Sequence, residues 1–419
     1  MRRRTLLTAG GGIVGLGGLV GAHQRRRLSR WSDRDALHSA LEVDVPVPAG
    51  AVVVTESHLL AASDDLEALV DEARSALSAH DEPPETTLPR AVDTLETVDL
   101  DAVESVSNRE RERLLDRLRR GLVSAGRALG TAEAERGELD VDEIREGIDA
   151  LESRIDETEI AYRADSVSES VVQYAVADEA LDDARTRVDW ASERLEDYPS
   201  SSVGYLARAR GSLADAERFA AVPDGEGIGD RFEERHHTLA EATESILEGI
   251  EFKFDEDRLT YARQARSFSY PRPDGAAAAG RGDAALSVRA AAEEYARANT
   301  LEAFTDVPAT GYGRPSSELV SAFDTTGSDV LAAKERAADA VEERLGAAGD
   351  EPLARHLLAR IRERLETGDH RVDSTLGKIN EAGGDEWVVA LADATLLYRQ
   401  AALEAERLPA VLELVAGRR

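Results

Sequence analysis

The sequence predicts an all-α protein: an elongated antiparallel helical bundle with coiled-coil-like seams, carrying a short extended or β segment near its N-terminus. Three observations predict it. From Asp140 to Asp197 the chain runs without a proline, and its apolar residues step three, four, three, four: Val141, Ile144, Ile148, Leu151, Ile155, then Leu181, Ala184, Val188, Ala191, Leu195. That spacing draws a narrow apolar stripe down one side of a helix that packs along another. Aromatic residues are only 5% of the chain, so the interior must be built from Ala, Leu and Val. Start and stop signals also recur at helical intervals. Ser107 with Glu110, and Asp140 with Glu143, have capping-box spacing, and Gly137 separates them.

Taken in order, residues 23–42 form a basic linker that runs into a helical patch around Trp31 to Leu41. Val43 to Val47 alternates apolar and polar, and Ala51 to Thr55 is β-branched, so this pair reads as the β-like element. Pro46 and Pro48 confine it to an edge or a strap. A helix follows over residues 57–80, closed by Pro83-Pro84. Residues 88–106 read as a short helix and a connection. The next helix, 107–136, carries Leu115, Leu118, Leu122, Ala125, Leu129 and Ala132.

The stretch 140–197 then reads as one helix about 85 Å long at 1.5 Å per residue. Its seam shifts face at the five-residue step from Tyr162 to Val167, which predicts a bend near Ser166. A helix from Ser200 carries Leu206, Ala209, Leu213 and Ala216. Val222 to Gly229, rich in Gly and Pro, is the clearest linker and the expected domain boundary. Beyond it, Asp230 and Glu233 would cap a helix to about Phe268, 271–280 reads as a flexible loop, and helices are expected at 284–305, 328–346, 350–367 and 385–407. Gly368 is the expected stop of the helix 350–367, and Pro409 would permit only a short continuation of the last. The expected organisation is 1–22, a leader or anchor; 23–56, a linker with the extended segment; 57–221, a helical bundle built on 140–197; and 230–419, a second helical bundle.

The formal net charge is −32, and 48 of the 51 basic residues are arginine, the three lysines being Lys253, Lys334 and Lys378; there is no cysteine. A composition so rich in Asp and Glu, so poor in Lys and free of Cys resembles that of proteins from salt-loving archaea, whose dense carboxylates keep a chain hydrated when salt screens self-repulsion. Nucleic acid is not an expected partner: a polyanion would be repelled, and no basic stripe lies outside the first 30 residues. The missing cysteine excludes disulfides and thiolate chemistry.

At the N-terminus, Arg3-Arg4-Thr5-Leu6-Leu7 precedes a weakly hydrophobic, Gly-rich run, Thr8 to Ala22. This resembles a twin-arginine export signal, with Arg3 and Arg4 as the pair, Leu6 and Leu7 as the apolar positions after it, and Val20-Gly21-Ala22 fitting cleavage after Ala22. The resemblance covers 22 of the 419 residues. It implies an extracytoplasmic destination, secreted or held at the membrane by the N-terminal segment, and translocation after folding. Arg25-Arg26-Arg27 follows the cleavage point directly, so an uncleaved anchor stands beside cleavage as an expectation.

The body carries no recognisable catalytic constellation. Glu233 and His236, and Glu234 and His237, are i, i+3 pairs on one helix face. Di-metal helical sites need such a pair on each of two helices plus two further Glu, and no Glu-x-x-His occurs outside this helix. Phosphate loops and nucleophile elbows are absent from the sequence. Adjacent carboxylates such as Asp64-Asp65, Asp182-Asp183 and Glu342-Glu343 are so common that they read as solvated surface. Trp190 and Trp387 read as core. No cofactor, metal or catalytic residue is therefore expected. The expectation is a structural or interaction protein whose partners are other cell-surface proteins, with a helical solute- or peptide-binding domain hinged at 222–229 as the alternative. A metal-dependent enzyme resting on Glu233 and His236 is the weakest of the three.

Overall fold

The computed structural model describes residues 33–98, 106–251, 275–304, 325–378 and 386–417. Among them every regular element is helical. Helix α1 covers residues 33–42. It is followed by α2 (Glu56–Ser78), α3 (Leu88–Thr97), α4 (Asn108–Arg136), α5 (Val141–Glu157), α6 (Val167–Arg194), α7 (Pro199–Ala220) and α8 (Gly229–Gly249). Beyond these lie α9 (Gly275–Arg281), α10 (Ala284–Ala298), a 3-10 turn Leu301–Phe304, α11 (Gly327–Ala348), α12 (Pro352–Lys378) and α13 (Glu386–Ala416).

Several helix ends follow from local chemistry. The Ser107 hydroxyl accepts from the Glu110 amide at the start of α4, and Gly137 ends it at φ 69, a left-handed conformation that costs glycine nothing. The Asp140 carboxylate accepts from the amides of Asp142 and Glu143 at the start of α5. Asp230, expected as a cap, lies instead inside the first turn of α8.

The expected continuous helix 140–197 is two helices. Residues 158–166 leave the helix because their backbone finds better partners elsewhere. The Ala164 amide donates to the Glu226 carbonyl at 2.9 Å, and the Ile228 amide donates to the Tyr162 carbonyl at 3.0 Å. The only bridge among the described residues, Arg163 with Gly227, results. Gly225 makes the approach possible: it has φ 140, and a Cβ there would lie 2.7 Å from the Ala164 carbonyl carbon. The rings of Tyr162, Tyr174 and Phe232 meet edge to face around this stitch. The seams themselves are buried as expected. Ile144, Ile148, Leu151 and Ile155 share one apolar cluster with Leu181, Ala184, Val188, Ala191 and Leu195, so α5 lies against α6 instead of extending it.

Other ends also differ from expectation. Residues 43–55 form no strand. Their polar backbone is met by side chains: Val53 exchanges hydrogen bonds with the Gln173 amide and the Val52 amide donates to Glu112, while Val45, Val52 and Val54 are buried. Residues 275–281, expected as loop, are helical, in keeping with the run Ala276 to Ala279. Helix α12 passes through Gly368, whose missing side chain serves packing: a Cβ would lie 2.4 Å from Tyr398 Cε1. Helix α13 passes through Pro409, where burial of Leu408, Val411, Leu414 and Val415 offsets the one backbone hydrogen bond a proline removes.

In the N-terminal segment, α6 and α7 are fastened by Asp183, which accepts from Arg208 and Ser212 across the pair. Helices α4 and α7 touch backbone to backbone at Gly126, Gly130 and Gly204. In the C-terminal segment, α11, α12 and α13 surround Lys334, whose ammonium meets Asp369 at 2.7 Å while the Tyr398 hydroxyl donates to the same carboxylate. Helix α10 lies between the segments, packed on α6, α8 and α13. One apolar core contains Val171, Val172 and Ala175 of α6 together with Val288 of α10, Leu357 of α12 and Tyr398 of α13.

Candidate functional site

Arg3, Arg4, Leu6, Leu7 and Ala22 lie outside the described residues. Of the candidate pairs on α8, His237 meets Glu241 at 3.0 Å, and Glu234 meets Arg235. Neither histidine is drawn to its i−3 glutamate, and among the described residues no three His, Asp or Glu side chains are grouped as metal ligands.

The side chain of Trp190 is not core; it is 38% exposed. It lies one position before the seam residue Ala191, which rotates it by about 100° from that residue. Its face is covered by the Arg187 guanidinium at 4.4 Å, and its edge meets Tyr205 at 5.6 Å. Tyr205 in turn receives Arg127 and Arg194 over its ring, and Tyr198 nearby in sequence is 60% exposed. Such aromatic and arginine surface is typical of contact sites. Trp387 lies where no side chain is described. Asp183, expected as solvated, is only a quarter exposed. Burial pushes its carboxyl up, but Arg208, Ser212 and Arg187 outweigh that and hold it below the usual range.

Two buried polar clusters are structural fastenings. In one, Asp215 of α7 accepts two hydrogen bonds from Arg119 of α4 (2.8 and 2.6 Å) and one from His58 of α2 (2.7 Å). In the other, Asp178 of α6 accepts from the Leu286 amide at the start of α10 and from the Tyr162 hydroxyl, which itself accepts from the Ala284 amide. Asp178 is 1% exposed, and burial pushes its carboxyl up to about 7, against these hydrogen bonds.

The concave site with converging charge lies between α6, α10 and α12. It is a cavity of about 160 Å³ lined by Glu179, Arg289, Glu293, His356 and Arg360, with Leu286 and Ala290 as its apolar wall. Glu293 is the hub: His356 Nε2 donates to it at 2.8 Å and Arg297 at 3.4 Å, with Arg360 at 3.9 Å. Burial alone would push its carboxyl up; the His356 bond and the nearby arginines hold it down. Arg289 pairs with Glu179. One helical turn beyond Arg360, buried Arg364 faces Glu404 at 3.1 Å, yet its Nε and Nη1 find no acceptor. Burial, with Arg297 and Arg360 close by, lowers its pKa despite Glu404. A larger open cleft of about 660 Å³, with Glu169, Asp350, Glu351 and Glu413 among its lining, lies where the N-terminus of α6 meets α12 and α13.

Sequence reasoning missed the charged cavity. Its signal was present as two rows with a step of four: Arg289, Glu293, Arg297 on one helix and His356, Arg360, Arg364 on the next. Four-residue steps place side chains on one face, and a charged face on an Ala-rich helix beside a second one marks a buried ionic seam.

A family model described as a domain of unknown function (DUF8262) matches residues 57–238, and a second, also described as a domain of unknown function (DUF8264), matches residues 226–417. Neither a curated protein nor a solved structure matches the chain.

Proposed function

We propose that the protein is an exported helical module of the cell surface that acts by contact with other surface proteins, without catalysis. The observation that carries the contact reading is exposed Trp190, stacked by Arg187 and edge to face with Tyr205, with exposed Tyr198 in the turn that joins their two helices. On a chain with only 5% aromatic residues, an exposed Trp packed on a half-buried Tyr of the next helix is a concentration of the residue types that dominate protein contacts. The address rests on Arg3-Arg4-Thr5-Leu6-Leu7 and the Gly-rich run to Ala22. The carboxylate-dense, lysine-poor surface supports a salt-rich setting. Two measurements test this. Fractionation of cells making the wild type and R3K/R4K should find the wild type outside the cytoplasm and the variant retained; unchanged location refutes the export. Affinity capture from cell envelope with wild type and W190A/Y198A should lose envelope proteins in the variant; identical captures refute the contact surface.

A second reading, a solute-binding helical domain, is favoured by one observation, the charged cavity between α6, α10 and α12. The hinge expected at 222–229 does not support it, because Glu226 and Ile228 are hydrogen-bonded to the 158–166 link. Solute would enter a preformed cavity.

A further inference from the structure

The chain enters its folded body at the C-terminal segment. Asp33, the first described residue, is buried. Its carboxylate accepts from the Gly327 amide at the start of α11 at 2.8 Å. The two backbones run so close that a Cβ on Gly327 would lie 2.5 Å from the Asp33 carbonyl oxygen. Leu37 and Ala40 of α1 join the apolar core that holds Val330 of α11 and Leu357 of α12. The strap 43–55 then crosses to the N-terminal segment. The Val45 carbonyl accepts from Arg362 of α12, Val53 pairs with Gln173 near the start of α6, and the Val52 amide donates to Glu112 near the start of α4. Residues 33–55 are thus bolted on where the two segments join.

The exposed aromatic surface lies toward the other end of α6. Trp190 is 17 residues beyond Gln173, about 25 Å along the axis at 1.5 Å per residue. The later apolar residues of α6, Leu181 to Leu195, belong to one cluster with residues of α5 and α7. The ends of α2 and α4 form a second, around Ala73, Ala128 and Leu129. Neither cluster holds a residue of α1 or of the C-terminal segment. Gly130 of α4 meets Ser200 of α7, and the His80 ring meets the Ala132 carbonyl. The ends of α2 and α4 therefore share this free end with the turn that carries Tyr198. The N-terminal bundle is tethered at one end and offers Trp190 near the other.

We propose that the anchored chain holds its Trp190 surface away from the membrane and offers it to a protein whose contact face stands outside the bilayer, not to one embedded beside it. Fully extended, residues 23–32 span at most about 36 Å, which keeps Asp33 and α1 within that distance of the bilayer and leaves the free end of the bundle to reach outward. The proposal rests on the export reading in its anchored form and on the contact surface, and adds a direction to them. Because the chain has no cysteine, single cysteines report position without background. Ser39→Cys, exposed on α1, and Ser78→Cys, exposed at the free end, are labelled on intact cells with a membrane-impermeant maleimide joined to a bulky polymer. Each rate is divided by that of the same purified variant. The quotient for Ser78→Cys should exceed that for Ser39→Cys about threefold or more. Equal quotients overturn the direction and leave export and the contact surface standing. Labelling of both variants only after the cells are broken refutes the export reading, and recovery of both from the medium refutes the anchored form; the proposal falls with either. Glu193→Cys, exposed one turn from Trp190 on α6, tests the partner with a small impermeant maleimide. Its reaction should be slower on cells than in the purified chain, and Trp190→Ala should restore it. No slowing, or slowing that Trp190→Ala leaves unchanged, overturns the outward partner.

Discussion

Replacing Asp178 by Asn tests the fastening of α10 to α6. In the wild type a carboxyl that titrates near 3.8 in the unfolded chain is pushed up to about 7 by burial and by Asp283, against Leu286, Tyr162 and Arg289. A group whose folded pKa is raised holds its proton longer in the folded state. The folded protein therefore loses stability as pH rises from about 4 to about 7, at roughly 1.4 kcal/mol per unit, and the loss levels off above that. Over the whole interval the difference is about 4 kcal/mol, and about 3 kcal/mol of it falls between pH 5 and pH 8. Asn cannot ionise, yet it keeps the contacts. Its oxygen accepts the Leu286 amide, its NH₂ donates to the Tyr162 oxygen, and the Tyr162 hydrogen turns to the Gly282 carbonyl 3.5 Å away. Urea unfolding of wild type and D178N at pH 5, 6, 7 and 8 in one salt concentration gives the difference directly, since groups common to both cancel. The variant should gain on the wild type by about 3 kcal/mol from pH 5 to pH 8. A difference that stays flat across that range refutes the reasoning.

Three further substitutions separate the forces in the N-terminal segment. Arg119→Met leaves Asp215 buried with only His58 as its partner and should cost about 3–5 kcal/mol in chemical unfolding, much of it recovered in R119M/D215L. Gly204→Val drives side-chain atoms into the backbone of α4, where even a Cβ would lie 2.7 Å from the Val123 carbonyl; a loss of about 1–3 kcal/mol or more is expected, and unchanged stability would deny the close crossing. Gly137→Ala meets no neighbour within 4 Å but keeps φ 69, so it should cost only about 1 kcal/mol, from backbone strain alone.

The helical seams were legible in the sequence because burial imposes a period, and Leu115 to Ala132 and Ile144 to Ile155 are buried as their spacing requires. The break at 158–166 was not legible. Its cause lies more than 60 residues away, in the amides and carbonyls of Glu226 to Ile228 and in Gly225, which carries no local sign of its partner. Gly368 and Pro409 misled for a related reason: local propensity treats them as stops, while tertiary contacts with Tyr398 and the buried end of α13 outweigh it. The charged cavity was hidden by the abundance of charge. Among 83 acidic and 51 basic residues, Glu293 and Arg289 differ from their solvated fellows only in what packs over them.

The apolar surface that α6 shares with α10, α12 and α13 bears on how such a protein can be inherited. Val171, Val172 and Ala175 belong to the stretch matched by one domain model, and Val288 and Leu357 to the stretch matched by the other. A gene carrying either stretch alone would encode a product with that surface turned toward water, prone to stick to its own copies. The two modules are therefore poor candidates for shuffling into unrelated genes, and a truncated allele of either should be recovered from cells as aggregate.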